Sequence, residues 1–452
     1  MFAAFLNTIK IKELRNKLLF TAGIIVLVRI AANIPCPGVD PVALKEYFSL
    51  FSKASSGGVF MDMFDLFSGG ALQQFAIATL GIMPYITASI IMQLLVPVLP
   101  SLEKLSREGD AGRQKINQYT RYFTVLICVV QGTMAAMTMV NPSRIGLPVP
   151  ATALINGPRG GFILMTVVVL TCATMILMWL GEQITERGIG NGVSIIITIN
   201  IIARLPAAVW QLIQMAMDES TVAGTTFKPV QLLILLIVFA AVTAATIMLT
   251  QGYRRVPIQM VRKTVGSQVQ GGSTYMPLKV NFSGVMPIIF AGAIMMIPDA
   301  LFRWLSLYSV ASWFQYGSSG YMILEGLMIM GFSYFWVANQ FNPIQISDNL
   351  KKEGAYIPGI RPGQPTADFL DSTMTKVTFA GSLFLAALAV FPMFLYNSFR
   401  IPFMVASFFG GTSLLIMVGV VLDTMSQLES HLTMRNYDGF LKRGRIRNRS
   451  GK

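Results

Sequence analysis

The chain has 452 residues, of which 54% are hydrophobic and only 12% charged, with a formal net charge of +14. This excludes an ordinary soluble globular protein, and apolar stretches of roughly 18–22 residues that recur about ten times argue for a polytopic α-helical membrane protein. One histidine, His431, and three cysteines without metal or disulfide spacing (Cys36, Cys128, Cys172) nearly exclude histidine-based or metal-based catalysis.

In chain order, a basic segment (Lys10, Lys12, Arg15, Lys17) leads into an expected first span at Leu18–Ile34. It lacks a small-x-small cleavage site, so it reads as a retained span rather than a signal peptide. Phe60–Leu72 follows, apolar and amphipathic, carrying Asp62 and Asp65 and ending in Ser68-Gly69-Gly70. As a helix it covers only about 20 Å, too short for the ~30 Å hydrocarbon core. It is therefore expected to fold back into an outer funnel and block it, with Ser68-Gly69-Gly70 as the hinge. Phe75–Val96 is long enough to span but has Gly81 and Pro84 in its middle. A broken helix at membrane depth is tolerated only against protein or a water-filled cavity.

Further spans are expected at Thr120–Val140, Gly161–Gly181, Val193–Leu212, Pro229–Thr250, Ser283–Ala300, Tyr321–Gln340, Thr375–Tyr396 and Phe403–Thr424. With the N-terminus inside, most of the 35 Lys and Arg fall on inner segments, so both termini are expected to be cytoplasmic. Arg204 counts among the few outer cations. Two inner loops, Gln251–Phe282 and Phe341–Met374, are long and rich in Gly, Pro and basic residues. Arg254, Arg255, Lys351, Lys352 and Arg361 sit well into them, which points to docking of a cytoplasmic partner.

The sequence repeats itself. GIMPYITASII (Gly81–Ile91) matches GVMPIIFAGAI (Gly284–Ile294), and GVSIII (Gly192–Ile197) matches GTSLLI (Gly411–Ile416). The members of each pair lie five spans apart. Five is odd, so the two halves are inverted, which is the signature of a site near the midplane between them. Ile86 pairs with Ile289 and Ile197 with Ile416. Ile82 and Val193, each four residues earlier, share the same helical faces. These six aliphatic side chains are expected to form one apolar ring. Such a ring coordinates no substrate; it seals by dewetting.

Mid-span ionisable residues are scarce; Arg29, Glu182, Asp299 and Glu325 lie near predicted ends or in the first span. No carboxylate pair, HExxH, serine–lysine motif or P-loop appears. The reading is a passive channel without catalytic residues, cofactor or metal, driven by a partner. A secondary transporter with inverted repeats is the runner-up.

LGIMPYITASIIMQLL, GEQITERGIGNGVSIII, LKVNFSGVMPIIFA, EGAYIPGIRPG and FGGTSLLI together resemble the SecY family (SecY/Sec61 alpha), channel subunits of the general protein translocase, from the N-terminus to about Tyr437. The resemblance implies an all-α polytopic membrane protein. Ten transmembrane helices form two inverted five-helix halves around a central hourglass pore. The halves are residues 1–212 and 229–424, with an outer hinge loop at 213–228 and a basic tail at 425–452. It puts the pore ring on Ile82, Ile86, Val193, Ile197, Ile289 and Ile416, and the plug on about 60–72, including Asp62, Phe64, Asp65, Phe67, Ser68, Gly69 and Gly70. A lateral gate through which signal sequences reach lipid is implied at Thr87, Gln131 and Asn281. The implied partners are SecE, SecG, the motor SecA, the ribosome with its RNA, and signal-bearing preproteins. SecA and the ribosome dock on Arg254, Arg255, Lys351, Lys352 and Arg361. The implied location is the cytoplasmic (inner) membrane. The chain departs from the pattern in Val193, in longer outer segments at Ser49–Gly58 and Asn141–Gly160, and in the tail KRGRIRNRSGK.

Overall fold

The structure is a computed structural model that describes residues 11–40, 42–44, 65–141, 155, 158–217, 229–260, 263–265, 268–270, 273–304, 310, 312–315, 317–399, 401, 403–408 and 410–443. The helices are α1 (Lys12–Asn33), α2 (Met83–Val98), α3 (Pro100–Arg107), α4 (Asp110–Val140), α5 (Arg159–Arg187), α6 (Gly192–Met217) and α7 (Pro229–Gln251), then α8 (Met286–Trp304), α9 (Ser319–Gln340), α10 (Pro343–Lys352), α11 (Gln364–Phe399), α12 (Phe403–Phe408) and α13 (Gly411–Arg443). The expected spans all overlap helices, but the second is helical only from Met83 and the tenth is divided between α12 and α13. Among the described residues, seven helices are long and apolar enough to cross a membrane, or eight if the bent pair α2–α3 is one span.

Some of the apolar helices leave most of their surface outside the packed interior. Only 17% of the apolar stretch of α7 is buried, with Leu233, Ile234, Leu236 and Ile237 all exposed. Such a surface is costly in water and costs nothing against lipid tails. The chain divides into two compact units, Met1–Ala207 with Val420–Lys452, and Ala208–Gly419. The first packs Cys36, Leu44, Phe75, Met139 and Phe162 together. A smaller cluster, Leu14, Ile189 and Leu428, ties the C-terminal helix to the start of α1. The second unit is centred on Ile288, Ala291, Ile329, Leu385 and Leu415.

The second span differs from expectation. Helix begins only at Met83, and residues 69–82 form a run of tight turns. Gly81 has φ +56°, a left-handed conformation that ends any helix on its N-terminal side, and Pro84 sits in the first helical turn, where it lacks no hydrogen bond. Gly81 and Pro84 therefore start the helix rather than break it. The turns are pinned to the chain leaving α1: Cys36 donates its N–H to the Phe75 carbonyl at 2.8 Å, and Ile77 donates to that of Ile34 at 2.9 Å. Phe75 itself is fully buried with φ +41°, held there by these bonds and its packing. At its far end α2 runs into α3 through a 102° bend.

The described residues of the two long loops carry regular structure. The first is a hairpin: β1 (Tyr253–Met260) pairs antiparallel with β4 (Ser273–Lys279), and β2 (Lys263–Val265) pairs with β3 (Gln268–Gln270) towards its tip. The second contributes α10 and a short β5 (Ala355–Tyr356), which pairs with the end of β1 to give the sheet order β4-β1-β5. Helix α11 then starts at Gln364, eleven residues before the expected span, and runs for 36 residues. The sheet's apolar face, with Val256 and Leu278, packs on Val337, Phe341, Ile357, Leu370 and Met374.

Candidate functional site

The repeat seen in the sequence is also a repeat of local geometry. Gly81 (φ +56°) and Gly284 (φ +65°) each stand two residues before a helix that opens Met-Pro. Ile86 and Ile289 are then each the fourth residue of their helices, α2 and α8. Gly192 and Gly411 are the first residues of α6 and α13, which makes Ile197 and Ile416 each the sixth. Ile82, Ile86, Ile197 and Ile416 are buried, while Val193 and Ile289 are half-buried. Ile82 precedes the first helical residue of α2, and its carbonyl accepts the Ile86 N–H at 3.2 Å. All six expected ring positions thus lie at helix starts or in the first two turns, and all six are aliphatic. Four belong to the first unit and two to the second.

Asp62 and Phe64 lie outside the described residues. From Asp65 the segment makes a single helical turn, Asp65–Ser68, followed by Gly69 and Gly70 in left-handed conformations (φ +68° and +95°). It is closed on itself. Gly70 donates its N–H to the Asp65 carbonyl at 3.1 Å, Leu72 donates to Ser68 Oγ at 3.2 Å, and Gln73 donates to Asp65 Oδ1 at 3.2 Å. It is also held from outside by three polar side chains. Arg29 Nη1 of α1 donates to the Gly69 carbonyl at 3.0 Å, and Asn200 Nδ2 of α6 donates to the Phe67 carbonyl at 3.0 Å. Arg204, one turn further along α6, forms an ion pair with the buried carboxylate of Asp65.

Sequence reasoning gave no role to Arg29, Asn200 and Arg204, the three side chains that hold this turn. Arg204 is not an outer-loop cation; it lies inside α6. Its signal was a lone arginine within a predicted apolar span, which calls for a counter-charge, and Asp65 in the short segment was the available carboxylate. Of the other charges in or near the expected spans, Glu182 is paired with Arg121 at 2.7 Å, and Glu325 is buried near the start of α9.

The expected gate residues are spread over both units. Thr87 on α2 is half-buried, its hydroxyl donating to the Met83 carbonyl at 3.1 Å. Gln131 on α4 is also half-buried. Helices α2 and α4 pack on each other. Asn281 belongs to the second unit, in the turn before α8.

The expected docking residues share one region of the second unit. Arg254 and Arg255 are exposed on β1, and Arg255 leans on Tyr253, with its guanidinium carbon 5.2 Å from the ring centroid. Lys351 and Lys352 are exposed at the last turn of α10, where cations complement the helix dipole. Arg361 is exposed in the PGIRPG turn between Gly359 (φ +82°) and Gly363 (φ +105°). That turn is fastened by Ser347 Oγ donating to the Gly363 carbonyl at 2.6 Å and Thr366 Oγ1 donating to the Arg361 carbonyl at 2.9 Å. Tyr356 on β5 donates its hydroxyl to Gln259 Oε1 on β1 at 3.0 Å, so the loops carrying these five cations are bonded to each other.

The SecY family model matches residues 76–425. The chain is 41% identical to the protein translocase subunit SecY of Chlamydia muridarum over 99% of this chain and 100% of that one. It is 40% identical to the SecY subunit of Haemophilus influenzae over 96% and 95%. Among solved structures, a protein-conducting channel superposes with a TM-score of 0.59 at 18% identity, covering 92% of both chains. Sec61 from a canine ribosome-channel complex of the endoplasmic reticulum gives 0.54, again at 18% identity and 92% of both chains. These matches favour a channel over a secondary transporter. The chain is a multi-pass membrane protein that belongs to the SecY family of protein-translocation channels.

Proposed function

We propose that unfolded secretory polypeptides cross the cytoplasmic membrane through a pore sealed by Ile82, Ile86, Val193, Ile197, Ile289 and Ile416. The register of these residues carries the proposal: Ile86 and Ile289 stand fourth in their helices, and Ile197 and Ile416 sixth. Inverted copies with equal registers bring equivalent side chains to equal depth. An aliphatic constriction excludes water and ions by dewetting and makes way for any chain, whatever its sequence.

The remaining parts follow from that pore. The segment at about 60–72 is the plug, on the outer side. Apolar segments leave sideways to lipid past Thr87, Gln131 and Asn281. The halves 1–212 and 229–424 open about the 213–228 loop and are clamped by SecE, with SecG peripheral. The joined platform of Arg254, Arg255, Lys351, Lys352 and Arg361 receives SecA or the ribosome. Its cations suit ribosomal RNA phosphates as well as an acidic protein surface. The chain itself is not an enzyme, and ATP is hydrolysed by the partner. Both termini, with the basic tail, lie on the cytoplasmic side of the inner membrane.

The test is Ile86→Asn and Ile289→Asn in the reconstituted channel complex. A polar amide in the ring wets the constriction, so both variants raise ion leak and admit precursors with defective signals. Unchanged conductance in both contradicts the ring.

A further inference from the structure

The seat of the Asp65–Gly70 turn is polar, although the segment is apolar and amphipathic. Three side chains from two helices converge on six residues: Arg29 on the Gly69 carbonyl, Asn200 on the Phe67 carbonyl and Arg204 on the Asp65 carboxylate. The Asp65 side chain is 2% exposed and that of Arg204 14%, so their pairing is made largely out of water. A buried ion pair adds little net stability, because desolvation offsets most of the attraction. Its effect is on position: moving one partner away leaves the other charge buried and alone, which apolar packing never penalises so steeply.

The two glycines serve the same end. A Cβ on Gly69 falls 2.5 Å from Arg29 Nη1 and 3.0 Å from the Asn200 Cα, and one on Gly70 falls 3.1 Å from the Arg204 Cζ. Both residues have positive φ, which glycine alone adopts without strain. Ser68-Gly69-Gly70 is thus the bare backbone over which the clamping side chains close. Sliding the segment by one residue breaks all three contacts together.

We infer that Arg29, Asn200 and Arg204 are positioning residues that form a polar latch on the plug, and that this latch, together with the aliphatic ring, sets the threshold for opening. The inference rests on reading Asp65–Gly70 as the plug, and its test separates the two claims. The full complex is reconstituted in vesicles. Ion leak and import of a precursor with a defective signal are measured for Arg204→Ala, Arg204→Lys, Arg204→Met, Asn200→Ala and a deletion of Asp65–Gly70. The deletion raises leak and relaxes signal stringency. Arg204→Ala does the same, by on the order of tenfold or more, because Asp65 is left buried and unpaired. Arg204→Lys keeps the charge and stays close to the parent, whereas Arg204→Met keeps a long apolar stem without the charge and behaves as Arg204→Ala, which a packing role for the side chain does not predict. Asn200→Ala removes one neutral hydrogen bond and gives a smaller, roughly few-fold rise; this variant carries the test if Arg204→Ala fails to assemble. If the deletion leaks while Arg204→Ala and Asn200→Ala behave as the parent, the latch is wrong and the plug stands. A deletion that neither leaks nor relaxes stringency overturns the plug and the latch with it.

Discussion

The entries to α2 and α8 are built alike at the helix and differently just before it. In both, a left-handed glycine is followed two residues later by Met-Pro and then by an isoleucine at the fourth helical position. Before α2, the chain makes the turn-rich stretch that carries Asp65–Gly70 and is held by Arg29, Asn200 and Arg204. Before α8, the chain comes straight out of β4, and the helix is fixed by apolar packing of Ile288 and Ala291 against Ile329 and Leu385. The two helix starts share one frame and differ in what precedes them: a polar seat in one, a basic sheet in the other. Hydrogen bonds and ion pairs fix position at little net gain in stability, whereas apolar packing stabilises without fixing a register so sharply.

That contrast breaks or sharpens under substitution. The largest loss of stability is expected at Ile329, which is fully buried in the second unit. Ile329→Ala should cost about 2–5 kcal/mol in unfolding measurements on the purified chain, with no rise in ion leak through the intact complex. Gly69→Val should come next, at about 2 kcal/mol or more, from left-handed strain and the clash with Arg29. Its signature is functional, since leak should rise out of proportion to the stability lost. Gly81→Ala and Gly284→Ala each place a Cβ in left-handed backbone with no neighbouring atom closer than 3.9 Å, so both should cost about 1 kcal/mol by strain alone. A marked difference between them would deny that the two helix starts are equivalent. Tyr356→Phe removes only the partly exposed bond to Gln259 and should cost at most about 1 kcal/mol. Arg361→Glu should leave unfolding unchanged while slowing motor-driven transport. If it raised the resting leak instead, the PGIRPG turn would be structural rather than a docking surface.

Much of the architecture was legible because membrane helices announce themselves by length and apolarity. The ring candidates were legible because the repeat kept both glycines and isoleucines in register. The start of α2 was misplaced because Gly81 and Pro84, read inside an apolar run, look like a kink. Only the positive φ of Gly81 makes them a beginning. The sheet went unseen because β1 and β5 come from different loops, and their two-residue pairing is a long-range contact with no local signature. Within β1 itself, the alternation that buries Val256 and Ile258 while exposing Arg255 and Pro257 was available as a period-two signal. The latch was hidden for the same reason as the sheet: Asp65 and Arg204 are far apart in sequence, and a single arginine in an apolar helix does not name its partner.

The most direct test is transport by the assembled channel. The chain is reconstituted with SecE in sealed vesicles, and SecA, ATP and a secretory preprotein are added outside. The account predicts that the preprotein becomes protected from added protease, that protection needs both SecA and ATP, and that no small solute accumulates against an ion gradient. Absence of protection with SecE present and SecA hydrolysing ATP, or solute accumulation driven by the gradient alone, would contradict it.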